Sequence, residues 1–137
     1  MSISGNIQRI LNAFSSEVKL VAVSKTISPE VIMQAYEAGQ RIFGENRVQE
    51  LLEKREVLPK DIEWHLIGHL QTNKIKYIAP FVSCIHSIDS LKLLNEINKE
   101  AAKNARIIDC LMQIHIAKEE SKFGFSFEEA RSLIESE

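Results

Sequence analysis

Cysteine is scarce in this sequence: Cys84 and Cys110 are the two, and both lie inside apolar runs. That excludes a disulfide-stapled framework. It points to buried free thiols in a reducing compartment, with a disulfide or a metal pair as the alternative. Proline and glycine are sparse too, at three and five residues of 137, and no linker, low-complexity tract or second-domain boundary is visible. Charge of one sign is missing: the net charge of -2 gives no electrostatic basis for binding nucleic acid or an anionic membrane. No apolar run approaches the ~20 residues that span a bilayer. The opening Met1-Ser2-Ile3-Ser4-Gly5 has neither a basic segment nor an apolar one. A secretion signal is therefore not expected, and the cytoplasm is the expected location.

What remains is an ordinary globular composition, 45% hydrophobic and 26% charged, with the length of one domain, read as residues 1–137. The pattern along the chain is a helix followed by five strand-helix units. Ile3, Ile7, Ile10, Leu11 and Phe14 make one helical stripe. Strands are expected at Leu20–Ser24, Ile42–Gly44, Glu63–Ile67, Phe81–Ile85 and within Arg106–Ile116. Helices are expected at Pro29–Ala38, about Arg47 to Glu56, after Thr72, after Asp89 or Ser90, and after the capping box Ser126-Phe127-Glu128-Glu129. In the last helix Ala130, Leu133 and Ile134 are expected to face inward. Each gap between strands holds a helical pattern, so the sheet is expected to be parallel. The glycine fingerprint that opens a dinucleotide fold is absent, and Ser24-Lys25-Thr26-Ile27-Ser28 stands in its place. The reading is α/β, a TIM-type (β/α) barrel of about five units plus an N-terminal helix. A full barrel usually needs ~200 residues or more, so the barrel is expected to be incomplete.

The stretch that organises the chain is Leu20-Val21-Ala22-Val23-Ser24-Lys25-Thr26. Four apolar residues read as a strand buried on both faces, and Lys25 stands at its C-terminal end, where α/β folds hold ligands. An amine partly desolvated there is suited to Schiff-base chemistry. A solvated lysine at a strand end is the plain alternative. Asn46 follows strand two and faces the same mouth or caps the next helix. His65, inside strand three, either points into the barrel or is a satisfied core histidine. His69, four residues on, is a second candidate at the strand mouth; a metal site at His65 and His69 is disfavoured because the segment reads as strand and loop, interrupted by Gly68. Glu119, Glu120 and Lys122 read as a solvated loop.

Three motifs come in order: the Lys25 heptapeptide, Phe43-Gly44-Glu45-Asn46-Arg47-Val48-Gln49-Glu50, and Trp64-His65-Leu66-Ile67-Gly68-His69-Leu70-Gln71-Thr72-Asn73-Lys74. His86-Ser87-Ile88-Asp89-Ser90 and Glu120-Ser121-Lys122-Phe123-Gly124 extend the series. Together they resemble the pyridoxal-phosphate homeostasis family (YggS/PROSC type), itself similar to the N-terminal barrel of alanine racemase. The resemblance implies pyridoxal 5'-phosphate (PLP) as cofactor, a Schiff base on Lys25, and Asn46 and His65 as cofactor-facing residues. It implies binding and buffering of PLP rather than turnover, with apo PLP enzymes as recipients. A racemase-like or class I aldolase-like enzyme and a truncated barrel without cofactor are the alternatives. His115 stands where the family more often has asparagine. The family's later units, with the loops and arginine that hold the PLP phosphate, have no counterpart here. Weak binding is therefore expected, or a partner that supplies them. The first and fifth strands are expected to present open edges, which a homo-oligomer would cover.

Overall fold

The computed structural model describes residues 2–116 and 124–136. Helix α1 (Ile3–Asn12) is capped by Ser2, whose hydroxyl accepts from Gly5 N at 3.0 Å. Strand β1 is Ala22–Val23 and helix α2 is Pro29–Glu37, with Ser28 as N-cap and Pro29 in the first turn. Strand β2 (Ile42–Glu45), helix α3 (Val48–Val57) and strand β3 (Glu63–Leu66) follow. A 3₁₀ turn at Thr72–Lys74 leads into α4 (Ile75–Ile78), which stops before Pro80. Then come β4 (Cys84–Ile88), α5 (Leu91–Lys103), β5 (Asp109–Met112) and α6 (Phe127–Glu135). None of these helices is long and apolar enough to cross a membrane.

All five strands are parallel, and their spatial order is their chain order, β1-β2-β3-β4-β5. A doubly wound sheet reverses direction at a switch point; this one never does. Every crossover therefore advances the same way, which is the winding of a (β/α) barrel, here an open arc with β1 and β5 as its end strands.

The two faces of the arc differ. Phe43, Trp64, Leu66 and Ile85 are at most 2% exposed and pack with Leu51, Ile75, Ile78, Leu93 and Ile97 of the helices. Each such side chain contributes about 1.5–3 kcal/mol by leaving water. Alternation along β3 and β4 sends His65, Cys84 and His86 to the other, concave face. Val23 and Leu111, 55% and 52% exposed, leave the ends of that sheet open to solvent.

Several expectations are corrected. Strand four lies at Cys84–Ile88, not Phe81–Ile85, because Phe81 N and Val82 N both donate to Ile78 O and close the end of α4. Strand one keeps two paired residues of the five expected. The 3₁₀ turn is capped by Gln71, not Thr72. The α1 stripe buries Ile7 but leaves Ile10, Leu11 and Phe14 exposed. Ile134 is exposed on α6 while Ala130 is buried. The Ser90 cap and the Ser126–Glu129 capping box are as expected. Glu119, Glu120, Lys122 and most of the last motif lie outside the described residues.

Candidate functional site

The C-terminal ends of the strands carry the residues of interest. Chain and sheet part company at Ser24: its N–H donates to Gly44 O at 2.9 Å, and its carbonyl accepts from Ile27 N at 3.0 Å. Ser24 to Ile27 is thus a closed four-residue turn with Lys25 and Thr26 at its centre. Thr26 has φ +64°, a left-handed backbone that a β-branched residue adopts only at a cost of about 1–3 kcal/mol.

Charged side chains hold that turn from behind. Lys54 of α3, a side chain only 6% exposed, donates to Ser24 O at 2.6 Å, Glu45 Oε1 at 3.0 Å and Glu50 Oε1 at 2.8 Å. Glu50 Oε1 accepts the strained Thr26 N–H at 2.6 Å. Glu45, wholly buried, accepts from Ser24 Oγ at 2.5 Å. The ammonium and two carboxylates therefore grip both flanks of Lys25. The sequence reading did not single out Lys54 or Glu45; the available signal was the Glu50–Lys54 spacing on one helical face.

The two carboxyls respond to their surroundings in opposite senses. Burial pushes Glu45 above the ordinary value of 4.5, against the pull of Ser24 and Lys54. Glu50 is held below 4.5, first by the hydrogen bond from Lys54 and then by that from Thr26 N–H. A carboxyl lowered in the folded state stabilises above its ordinary value and loses that contribution as pH falls through its folded value. The urea midpoint of the wild type is therefore expected to fall more steeply below pH 4.5 than that of Glu50→Gln. Parallel profiles would remove Glu50 from the clamp.

Lys25 itself is exposed, which corrects the expectation of a partly desolvated amine. The concave face beside it is uncovered among the described residues, so nothing there withdraws it from water. It makes no ion pair among them. Asn46 is half-buried directly after β2 and is not the helix cap: Arg47 takes that position. Gly68, beyond β3, lies so close that a Cβ on it would stand 2.5 Å from Asn46 O. Asn46 also lines a cleft of about 560 Å³ with Arg47, Leu52, His69, Lys74 and Tyr77. Tyr36, by contrast, donates to Asp61 at 2.7 Å near the end of α2.

His65 is half-buried on the concave face, its Nδ1 2.9 Å from His86 Nε2, with ring centroids 5.0 Å apart. Burial lowers both histidines below 6.5, and the neighbouring ring adds to the effect on His65. His69 does not join them; its Nδ1 is 3.4 Å from Asp89 Oδ2. His115 Nε2 is buried without a hydrogen-bond partner among the described residues. The structure thus gathers Lys25 and Asn46 on one rim, with His65 lower on the open face.

The family of the alanine racemase N-terminal domain matches residues 2–136. A pyridoxal phosphate homeostasis protein of Aquifex aeolicus is 48% identical over 118 residues, 85% of this chain and 52% of that one. One from Helicobacter pylori is 44% identical over 131 residues, 93% of this chain and 59% of that one. PipY of Synechococcus elongatus, solved with PLP bound, superposes with a TM-score of 0.87 at 33% identity, covering 96% of this chain and 62% of that one. The chain spans a little over half the length of these curated relatives.

Proposed function

Because this chain belongs to the family of the alanine racemase N-terminal domain, with pyridoxal phosphate homeostasis proteins as curated relatives, we propose that it binds PLP through Lys25 and serves PLP homeostasis in the cytoplasm, as a carrier rather than a catalyst. The observation that carries this reading is the clamped turn: a primary amine outside any ion pair among the described residues, its backbone fixed on both sides, at the C-terminal end of a parallel strand. The PLP-bound relative supports it.

The residues suit such a cofactor. PLP supplies an aldehyde carbon that condenses with a primary amine. Lys25 Nζ is that amine, and the Ser24–Ile27 turn limits where it reaches. The Asn46 amide, without a protein hydrogen bond among the described residues, would hold the cofactor's phenolic oxygen or ring region. His65 presents a neutral ring to the face below. Carriage rather than turnover is favoured because no acid or base is placed opposite Lys25 among the described residues; a racemase-like reading would have to recruit Tyr77 from the cleft beside Asn46. On this reading apo PLP enzymes receive the cofactor, and a second copy covers the edges of β1 and β5.

Incubation with PLP, borohydride reduction and peptide mapping test the proposal. The expected result is one modified peptide containing Lys25, lost in Lys25→Ala. Label scattered over exposed lysines, or unchanged in that variant, would overturn it. Trapping of a carbonyl substrate without PLP would favour an aldolase instead.

A further inference from the structure

The concave face holds a cluster in which the PLP reading employs His65 alone and leaves Cys84 and His86 unused. His65 on β3 pairs in register with Cys84 on β4, and His86 lies two residues further along on the same side. Their ligand atoms, one ring nitrogen from each histidine and the Cys84 sulfur, all lie within 4.8 Å of one another. The 2.9 Å contact between His65 Nδ1 and His86 Nε2 means that one lone pair already faces the other ring's proton. Two ligands of a tetrahedral zinc at ~2.0–2.1 Å stand roughly 3.3 Å apart, so a slight opening of the pair admits an ion in place of that proton.

We propose that His65, Cys84 and His86 form a site for a borderline-soft divalent cation of the Zn²⁺ class, with its fourth position open to the concave face. Two imidazoles and a thiolate are the donor set such ions prefer, and three protein ligands with one open position is a pattern zinc sites use. His65 and Cys84 are a paired position of β3 and β4, and His86 is the next same-side residue of β4, so binding needs little ordering. The charged groups acting on the cluster are Asp109 and Glu63, opposed by Lys19. Asp109 pairs with Cys84 across β4 and β5 and sets a negative charge beside an incoming cation. On binding, the ring that donated across the pair gives up its near-side proton and takes one from solvent on its far nitrogen, the other ring's proton stays on its far nitrogen, and the Cys84 thiol proton passes to solvent.

The site stands independently of Lys25. The test uses the full chain, reduced and without PLP, titrated with Co²⁺ as the probe and then with Zn²⁺ in competition. One Co²⁺ per chain is expected, with a thiolate-to-cobalt charge-transfer band and tetrahedral d–d bands that Zn²⁺ abolishes. Cys84→Ser should lose the charge-transfer band. His65→Gln and His86→Gln should weaken binding by more than the roughly tenfold typical of losing an outer-shell partner. Cys110→Ser should change none of this. X-ray absorption on the wild type, expected to find one sulfur and two imidazoles, keeps the question decidable should Cys84→Ser misfold. Substoichiometric binding, a band that survives Cys84→Ser or vanishes in Cys110→Ser, or a sulfur-free shell would overturn the site. None of these outcomes bears on PLP labelling at Lys25.

Discussion

Lys54→Met is expected to lower the unfolding free energy by about 3–5 kcal/mol at pH 7, the range seen when one partner of a buried ion pair is removed. The reason lies in what is left behind. Glu45 is fully buried, and without the ammonium the Ser24 hydroxyl is the one donor left to its carboxylate among the described residues. Methionine keeps most of the stem's packing, so the loss is chiefly electrostatic. Glu45 is already pushed up by burial, and removing Lys54 pushes it further. A carboxyl raised in the folded state is tolerated below that raised value and penalises folding as pH climbs through it. The gap between Lys54→Met and wild type should therefore narrow as pH falls from 7 towards the ordinary carboxyl value of 4.5. The double variant Glu45→Gln with Lys54→Met should recover much of the loss at pH 7. Denaturant titrations at the two pH values check this; a loss of the same size at both would remove Glu45 from the explanation. The same substitution leaves Ser24 O with Ile27 N–H and Glu50 with Thr26 N–H but removes the ammonium that ties the two together, so the strained Thr26 turn loosens. Labelling at Lys25 should slow even where the protein remains folded.

How much of this could be read beforehand depends on how local each feature is. Helix starts at Ser28, Ser90 and Ser126 were legible because a cap is decided within four residues. The parallel winding was legible because every strand gap contained a helical pattern, and the sequential order follows from the same regularity. Strand four was misplaced because Phe81-Val82 is as apolar as a strand, and only the two donations to Ile78 O show it finishing a helix. With the strand ending at Ile85, His86 fell outside it, and its meeting with His65 could not be seen. The exposure of Lys25 was illegible for a different reason: desolvation depends on what lies across the concave face, which no heptapeptide specifies. Lys54 resembled any helical lysine, since its burial is created by the β1 turn thirty residues away in sequence.

Gly68→Ala is expected to disturb the rim from the opposite side. A Cβ there would stand 2.5 Å from Asn46 O, 2.8 Å from its Cα and 3.0 Å from its carbonyl carbon. These are backbone atoms, so no rotamer change relieves the clash. Ile67 N is bonded to Glu45 O at 2.9 Å, so neither strand end can retreat alone. Overpacking of this kind costs about 1–3 kcal/mol, and here the yielding element is the one that carries Asn46. Gly39→Ala supplies the comparison. Gly39 has φ +103° and open space around its missing Cβ, so alanine there strains the backbone without touching the rim. Both variants should lose stability in denaturant titrations. Only Gly68→Ala should also slow PLP labelling at Lys25 and weaken cofactor retention, measured where both variants are fully folded. Equal labelling in the two would mean that Asn46 can shift without consequence, and its proposed contact with the cofactor ring would have to be given up.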